Sequence, residues 1–217
     1  MERQERWPPW SPKSVGLLAG IGATLGTAVD GLHNQVLLTY AVLPVAVDTN
    51  VGSLRTSLVV PPLLAIAYAV LGEAAPRVAA AALGAGAERS VGPGAALDAG
   101  PRAVAAVLST AALVRLSAFA PALFGDDALA VLAACAGVQW FLIDGTLAGL
   151  AVGLAAGALG PLAELPLIAA GWWSYIAPDY LPLGTPALGL SALTAPCYFA
   201  VATDAAAIAR WCRRTCS

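Results

Sequence analysis

The sequence predicts an all-α polytopic membrane protein, a single domain over residues 1–217 with six transmembrane helices. Three observations carry that prediction. The chain is 59% hydrophobic and 11% charged, with a mean hydropathy of +0.78, whereas a soluble domain carries about 25% charged residues. Apolar runs recur at lengths of roughly 17–25 residues, enough for a helix to cross about 30 Å of hydrocarbon. The runs are continuous rather than alternating with period two, so helices that satisfy their own backbone are expected, and a β-barrel is not.

The six runs are expected at about 15–38, 54–71, 103–124, 127–143, 147–169 and 186–208. The segment before the first contains Glu2, Arg3, Glu5, Trp7 and three prolines. It lacks the small-residue site of a cleaved signal, so the first run is expected to stay. In the second, Pro61-Pro62 predicts a kink, as do Pro161 and Pro166 in the fifth. The connection at about 72–102 is rich in Ala and Gly and reads as an interfacial or loose segment. Between the fourth and fifth runs only Asp144 and Gly145-Thr146 leave room for a turn. The fifth run carries Gly149, Gly153 and Gly157 at four-residue spacing, a stripe that lets another helix approach closely; packing within the bundle is the expected use.

Orientation follows from the basic residues, because cytoplasmic loops retain Lys and Arg. Arg3, Arg6 and Lys13 precede the first run; Arg77, Arg89 and Arg102 lie between the second and third; Arg210, Arg213 and Arg214 follow the sixth. These share one side, which places both termini in the cytoplasm. Trp7, Trp10, Trp140 and Trp211 fall at that interface, and Trp172, Trp173, Tyr175 and Tyr180 at the opposite one. Charges inside the runs are expensive unless paired. Asp30 and Arg115 lie about 22 and 18 Å from the inner face at 1.5 Å per residue, so an intramembrane Asp30–Arg115 ion pair is expected, with His33 and Asn34 one turn further out. Glu164 and Asp204 are expected to be solvated or capped at interfaces.

Binding is the function class that the residues favour. Thr110, Leu113, Val114 and Ser117 share one face of the third run, and Asp127, Val131, Ala134 and Cys135 share one face of the fourth. Together they would make an apolar slot with a polar rim, suited to a sterol or a diacylglycerol whose hydroxyls meet Asp127. Ordinary helix packing uses the same residue types. A transporter or channel is the alternative, but it usually shows charged sites on broken, repeated helices. An enzyme is not expected: there is one histidine, no HExxH and no Gly-x-Ser-x-Gly. The four cysteines form no CxxC, so neither a metal nor another cofactor is expected. With a net charge of −2 the chain offers no nucleic-acid surface. Its modest size and small-residue stripe make a homo-oligomer, dimer or trimer, a reasonable expectation.

The C-terminal half resembles the Insig (insulin-induced gene protein) family. Trp140, Phe141, Ile143, Asp144 and Gly149 follow the order of that family's Trp, Phe-Asp and Gly-rich helix. Tyr175-Ile176-Ala177-Pro178-Asp179-Tyr180-Leu181 looks like its Tyr-Thr-Ser-Pro-Asp-Phe-Leu, Ala195-Pro196-Cys197-Tyr198-Phe199 like its Leu-Pro-Cys-Ile-Phe, and Ile208-Ala209-Arg210 like its closing Ile-Gly-Arg. The N-terminal half matches in Pro61-Pro62 and in overall spacing. The resemblance implies a six-helix protein that binds an oxysterol among its helices and holds membrane partners, Scap and the sterol-regulated reductase, in part through the Asp that aligns with Asp144. The Arg-Ser-Arg-Ser that follows it in the family is here Gly145-Thr146-Leu147-Ala148. With an Ala-, Gly-, Pro- and Arg-biased composition, the chain reads as a bacterial plasma-membrane relative, or an endoplasmic-reticulum protein if eukaryotic. Such a relative would keep the lipid pocket without the eukaryotic partners.

Overall fold

The computed structural model describes residues 11–32, 36–49, 52–84 and 86–216. His33, Asn34 and the basic and Trp residues before Ser11 lie outside them. Six helical rods form a bundle: α1 over 12–30, α2 Val60–Leu83, α3 Ala99–Ser117, α4 Ala120–Ile143, α5 Leu147–Ala169 and α6 Thr194–Thr215. Between α1 and α2 lie β1 Leu38–Tyr40, β2 Pro44–Thr49 and β3 Gly52–Ser57, and after α5 lies β4 Trp173–Tyr175. β2 and β3 form an antiparallel hairpin; β1 pairs antiparallel with β4, Leu38 opposite Tyr175 and Tyr40 opposite Trp173. These four strands correct the purely helical expectation.

Among the described residues four rods, α2 to α5, are long and apolar enough to cross a membrane. Large apolar side chains such as Ile66, Val78, Leu108, Val138 and Leu154 point outward from them, an arrangement stable against lipid and costly against water. The protein is an integral membrane protein. α6 stands in the middle of the bundle, packed by α1, α2, α3, α4 and α5. Its central stretch, Ala202 to Ala209, is buried throughout. A helix surrounded by protein has no need to be apolar toward lipid, which explains why it tolerates Asp204 and ends in Arg210, Arg213 and Arg214.

Boundaries shift where local chemistry overrides hydropathy. α2 was expected at 54–71, but residues 54–57 belong to β3 and the helix runs on to Leu83. Pro61-Pro62 opens α2 instead of kinking it, because the first helical turn has no intrahelical partner for the missing N–H. Glu73 and Arg77, expected in a loop, sit one turn apart inside α2 and pair at 3.0 Å. α1 stops at Asp30 instead of Leu38, and α6 begins at Thr194 instead of at 186, where Pro186–Leu188 forms only a short 3-10 turn. The third run breaks at Ala118-Phe119, and Ala120–Phe124 joins α4. Pro161 lies inside α5, which gives way at Glu164 before resuming at Leu165.

The glycine stripe of α5 faces α6. A methyl group on Gly153 would stand 2.8 Å from the Phe199 ring, and one on Gly157 would stand 3.0 Å from the carbonyl of Ala195. The close α5–α6 approach therefore depends on these glycines, as small-residue stripes generally do.

Candidate functional site

The bundle has two ends. One gathers the start of α1, the end of α2, the start of α3, the α4–α5 turn and the end of α6, and holds Lys13, Arg77, Arg89, Arg102, Arg210, Arg213 and Arg214. The other holds Asp30, Asp48, Asp126, Asp127, Glu164 and Asp179, with Arg55 and Arg115.

A cavity of about 80 Å³ lies inside the bundle toward the acidic end, between α1, α2, α3, α5 and α6. Val29, Leu64, Val114 and Val201 give it apolar walls, and Asp30, Tyr68, Glu164 and Tyr198 supply its polar groups. Glu164, at the break in α5, is only 7% exposed. Its Oε2 accepts from Trp173 Nε1 at 3.0 Å and from the Tyr175 hydroxyl at 2.9 Å, and its Oε1 accepts from the Tyr198 hydroxyl at 2.7 Å. β4 and α6 thus close over one carboxyl through three neutral donors. Asp30 accepts from the Tyr40 hydroxyl at 3.1 Å. Burial first, and then the adjacent carboxylate, holds the Tyr175 and Tyr40 phenols well above the usual tyrosine range, so both remain donors. Deeper in, the Tyr68 hydroxyl donates to Asp204 at 2.6 Å. Both carboxyls expected at interfaces, Glu164 and Asp204, are therefore interior, Asp204 at 1% exposure.

The expected slot between the third and fourth runs is not assembled. Thr110, Leu113, Val114 and Ser117 are buried on one face of α3, turned toward α6. Of these only Val114 lines the cavity. Thr110 accepts from Gln139 Nε2 at 2.7 Å and contacts the Ala200 carbonyl at 3.4 Å. α4 meets α3 and α6 through Ala128, Leu132, Ala136 and Gln139, a face that leaves Asp127 and Cys135 exposed and Val131 half-buried on the outside. α4 is apolar all round, so hydrophobic pattern could not choose its inner face; Gln139, the one polar side chain on that face, was the available signal.

Nor do Asp30 and Arg115 pair. Arg115 is exposed at the end of α3, where its Nη1 donates to the Leu32 carbonyl at 3.0 Å and its guanidinium lies 4.5 Å above the Phe119 ring. Equal depth in two helices does not turn the side chains toward one another.

At the basic end Asp144, 1% exposed, is enclosed by its own chain. Its Oδ1 is ion-paired with Arg210 of α6, and its Oδ2 accepts from Thr146 Oγ1 at 2.7 Å. Thr146 caps α5 by accepting from Gly149 N at 2.9 Å. A methyl group on Gly149 would collide with the Asp144 carboxylate, and Gly145 turns the chain at φ 62°. Ser90 Oγ donates to the Asp144 carbonyl at 2.6 Å, and Val91 N to that of Gly145 at 2.9 Å. Asp144 thus ties the α4–α5 turn to α6 and to the loop after α2, and its carboxylate does not face outward as a docking group would.

Bundle, outward apolar surface and an interior cavity with apolar walls together define a polytopic helical membrane protein. No protein-family model and no curated protein matches the chain. Among solved structures it matches a mycobacterial Insig homologue, MvINS from Mycobacterium vanbaalenii, with 21% identity, a TM-score of 0.67 and coverage of 95% of this chain and 98% of that one. A cross-linked MvINS trimer matches with the same identity and TM-score, covering 95% of this chain and 97% of that one. The fold is that of this Insig homologue.

Proposed function

We propose that this protein is a non-enzymatic, Insig-like membrane protein that takes a sterol- or diacylglycerol-like lipid into the cavity between α1, α2 and α6, and acts as a lipid sensor or regulatory scaffold. The observation that carries the reading is the cavity itself: apolar walls along three helices with the Asp30, Glu164 and Tyr198 polar groups at one end, matching a lipid's apolar body and hydroxylated head. At about 80 Å³ the slot holds the end of an acyl chain, while a whole ligand needs about 300 Å³ or more. Binding therefore parts α1 from α2 along the π-helical Gly22–Gly26, where a methyl group on Gly26 would already meet the Tyr68 ring at 3.0 Å.

In the same reading all six rods span the bacterial plasma membrane, the basic end faces the cytoplasm together with both termini, and the protein self-associates. The positive-inside rule supports the orientation, and the trimeric MvINS supports the assembly. The protein purified in mild detergent should release one lipid class in excess over its share of the host membrane by mass spectrometry. Ala67→Phe, which fills the slot, should abolish that excess while the protein stays folded. Bulk lipid in bulk proportions, or an excess that survives Ala67→Phe, would overturn the reading.

A further inference from the structure

We propose that Arg102, Arg210 and Arg214, where α3 begins and α6 ends, bind the phosphate of an anionic phospholipid headgroup, at a site separate from the interior cavity. The charges at this end do not cancel: Lys13, Arg77, Arg89, Arg102, Arg210, Arg213 and Arg214 stand against Glu73, Glu88, Asp98 and Asp144. Glu73 is taken by Arg77 at 3.0 Å and Arg213 at 2.9 Å, and Asp144 by Arg210 and Thr146. Arg102 is only 8% exposed and has no carboxylate bonded to it. Its Nη2 donates to the Leu97 carbonyl at 2.7 Å, and its Nε is buried without an acceptor, as is Nε of Arg210. The fixed charges that reach the Arg102 guanidinium are Arg210 and Arg214, which repel it, and Asp144, which is engaged elsewhere. A covered guanidinium flanked by like charges, with unfilled donors, is unfavourable unless an anion completes it.

The neighbourhood says which anion. Trp211 stands between the arginines in sequence, its ring 3.8 Å from where a methyl group on Gly100 would lie, so α3 and α6 meet here beside an amphipathic indole of the kind that marks the headgroup level. Exposed Val104 and Leu108 continue along α3 from that level, giving an acyl chain a surface to follow. Guanidinium forks match phosphate oxygens in geometry and charge, and basic pockets between helix ends at the cytoplasmic face are suited to anionic lipid heads. Free phosphate would satisfy the arginines but not the apolar surface below them.

The test is native mass spectrometry of the full chain in neutral detergent with equimolar phosphatidylglycerol and phosphatidylcholine, with thermal unfolding in inorganic phosphate run in parallel. Phosphatidylglycerol should be retained about tenfold over phosphatidylcholine. Arg102→Gln and Arg214→Gln should each reduce that preference to less than about twofold, and Arg214, exposed on the last turn of α6, can be changed without disturbing the core. Equal retention of the two lipids, or a preference unchanged in Arg214→Gln, would overturn the proposal. So would millimolar inorganic phosphate raising Tm as far as phosphatidylglycerol does.

Discussion

The two ends of the bundle meet the same problem, a buried carboxylate, with opposite chemistry. At the basic end Asp144 and Glu73 are ion-paired with the guanidiniums of Arg210, Arg77 and Arg213. At the acidic end Glu164 is held by Trp173, Tyr175 and Tyr198, donors that are neutral. An interior ion pair fastens two elements, since removing one partner strands a charge; neutral donors can exchange one acceptor for another, such as a ligand hydroxyl, without charge separation. The fastened end and the cavity end are therefore different ends. The largest expected effect tests this directly. Arg210→Met should lower stability by about 3–5 kcal/mol because Asp144 stays buried and uncompensated. Adding Asp144→Asn should recover at least half of the loss, measured by reversible unfolding in mixed micelles. A double mutant as unstable as the single would show that Arg210 acts through packing alone.

Glu164 gives the counterpart. Glu164→Leu strands the donors of Trp173, Tyr175 and Tyr198, at about 1–3 kcal/mol for each donor left unsatisfied. Glu164→Gln, which keeps an acceptor for some of them, should be clearly milder. If Gln is as damaging as Leu, the carboxylate charge matters here as it does at Asp144, and the contrast between the ends fails.

How much of this was legible follows the same division. The span of α5, the membrane setting and the α5 glycine stripe can be read locally, because hydropathy and four-residue spacing are local quantities. Asp144, Gly149 and Arg210 stood out individually, yet their meeting joins positions 66 residues apart from Asp144 to Arg210, and no local pattern encodes it. Hydropathy sets α6 about seven residues too early, at 186–208 against Thr194–Thr215, because a central helix loses the apolar signature that a lipid-facing one must have. Asp127, Val131 and Cys135 were assigned to the inner face of α4 because a uniformly apolar helix offers no moment to orient it. Glu164 and Asp204 were assigned to interfaces by their distance from the run ends, whereas aromatic hydroxyls from β4, α6 and α2 make interior positions tolerable.

Two glycines place the comparison on the α5–α6 seam. Gly149 abuts the Asp144 carboxylate, which its ion pair holds still, and Gly160 abuts the Tyr198 ring beside the cavity. Alanine at 149 has no room and should destabilise by about 1–3 kcal/mol, in the range for overpacking. Alanine at 160 should fall nearer the lower limit, because the half-buried Tyr198 ring can move into the cavity. Equal losses would mean that the cavity walls are as rigid as the ion-paired end.

The smallest effect separates the ends by pH. Tyr175 donates to Glu164 from within the fold, and its phenol is held well above its ordinary value, first by burial and then by the Glu164 charge. A phenol whose pKa is higher in the folded state binds its proton more tightly there. Its contribution is fully present below the unfolded value of about 10 and is lost as pH rises above it, with a slope of up to about 1.4 kcal/mol per pH unit. Tyr175→Phe should therefore cost about 0.5–1.5 kcal/mol at pH 7 for the lost hydrogen bond and flatten the decline of stability between about pH 10 and 11. Arg210→Met with Asp144→Asn should retain the wild-type slope, because it leaves Tyr175 and its Glu164 partner untouched. If the basic-end double mutant flattens the curve and Tyr175→Phe leaves it unchanged, then the alkaline sensitivity belongs to the fastened end, and the division between a fixed end and an exchangeable one is reversed.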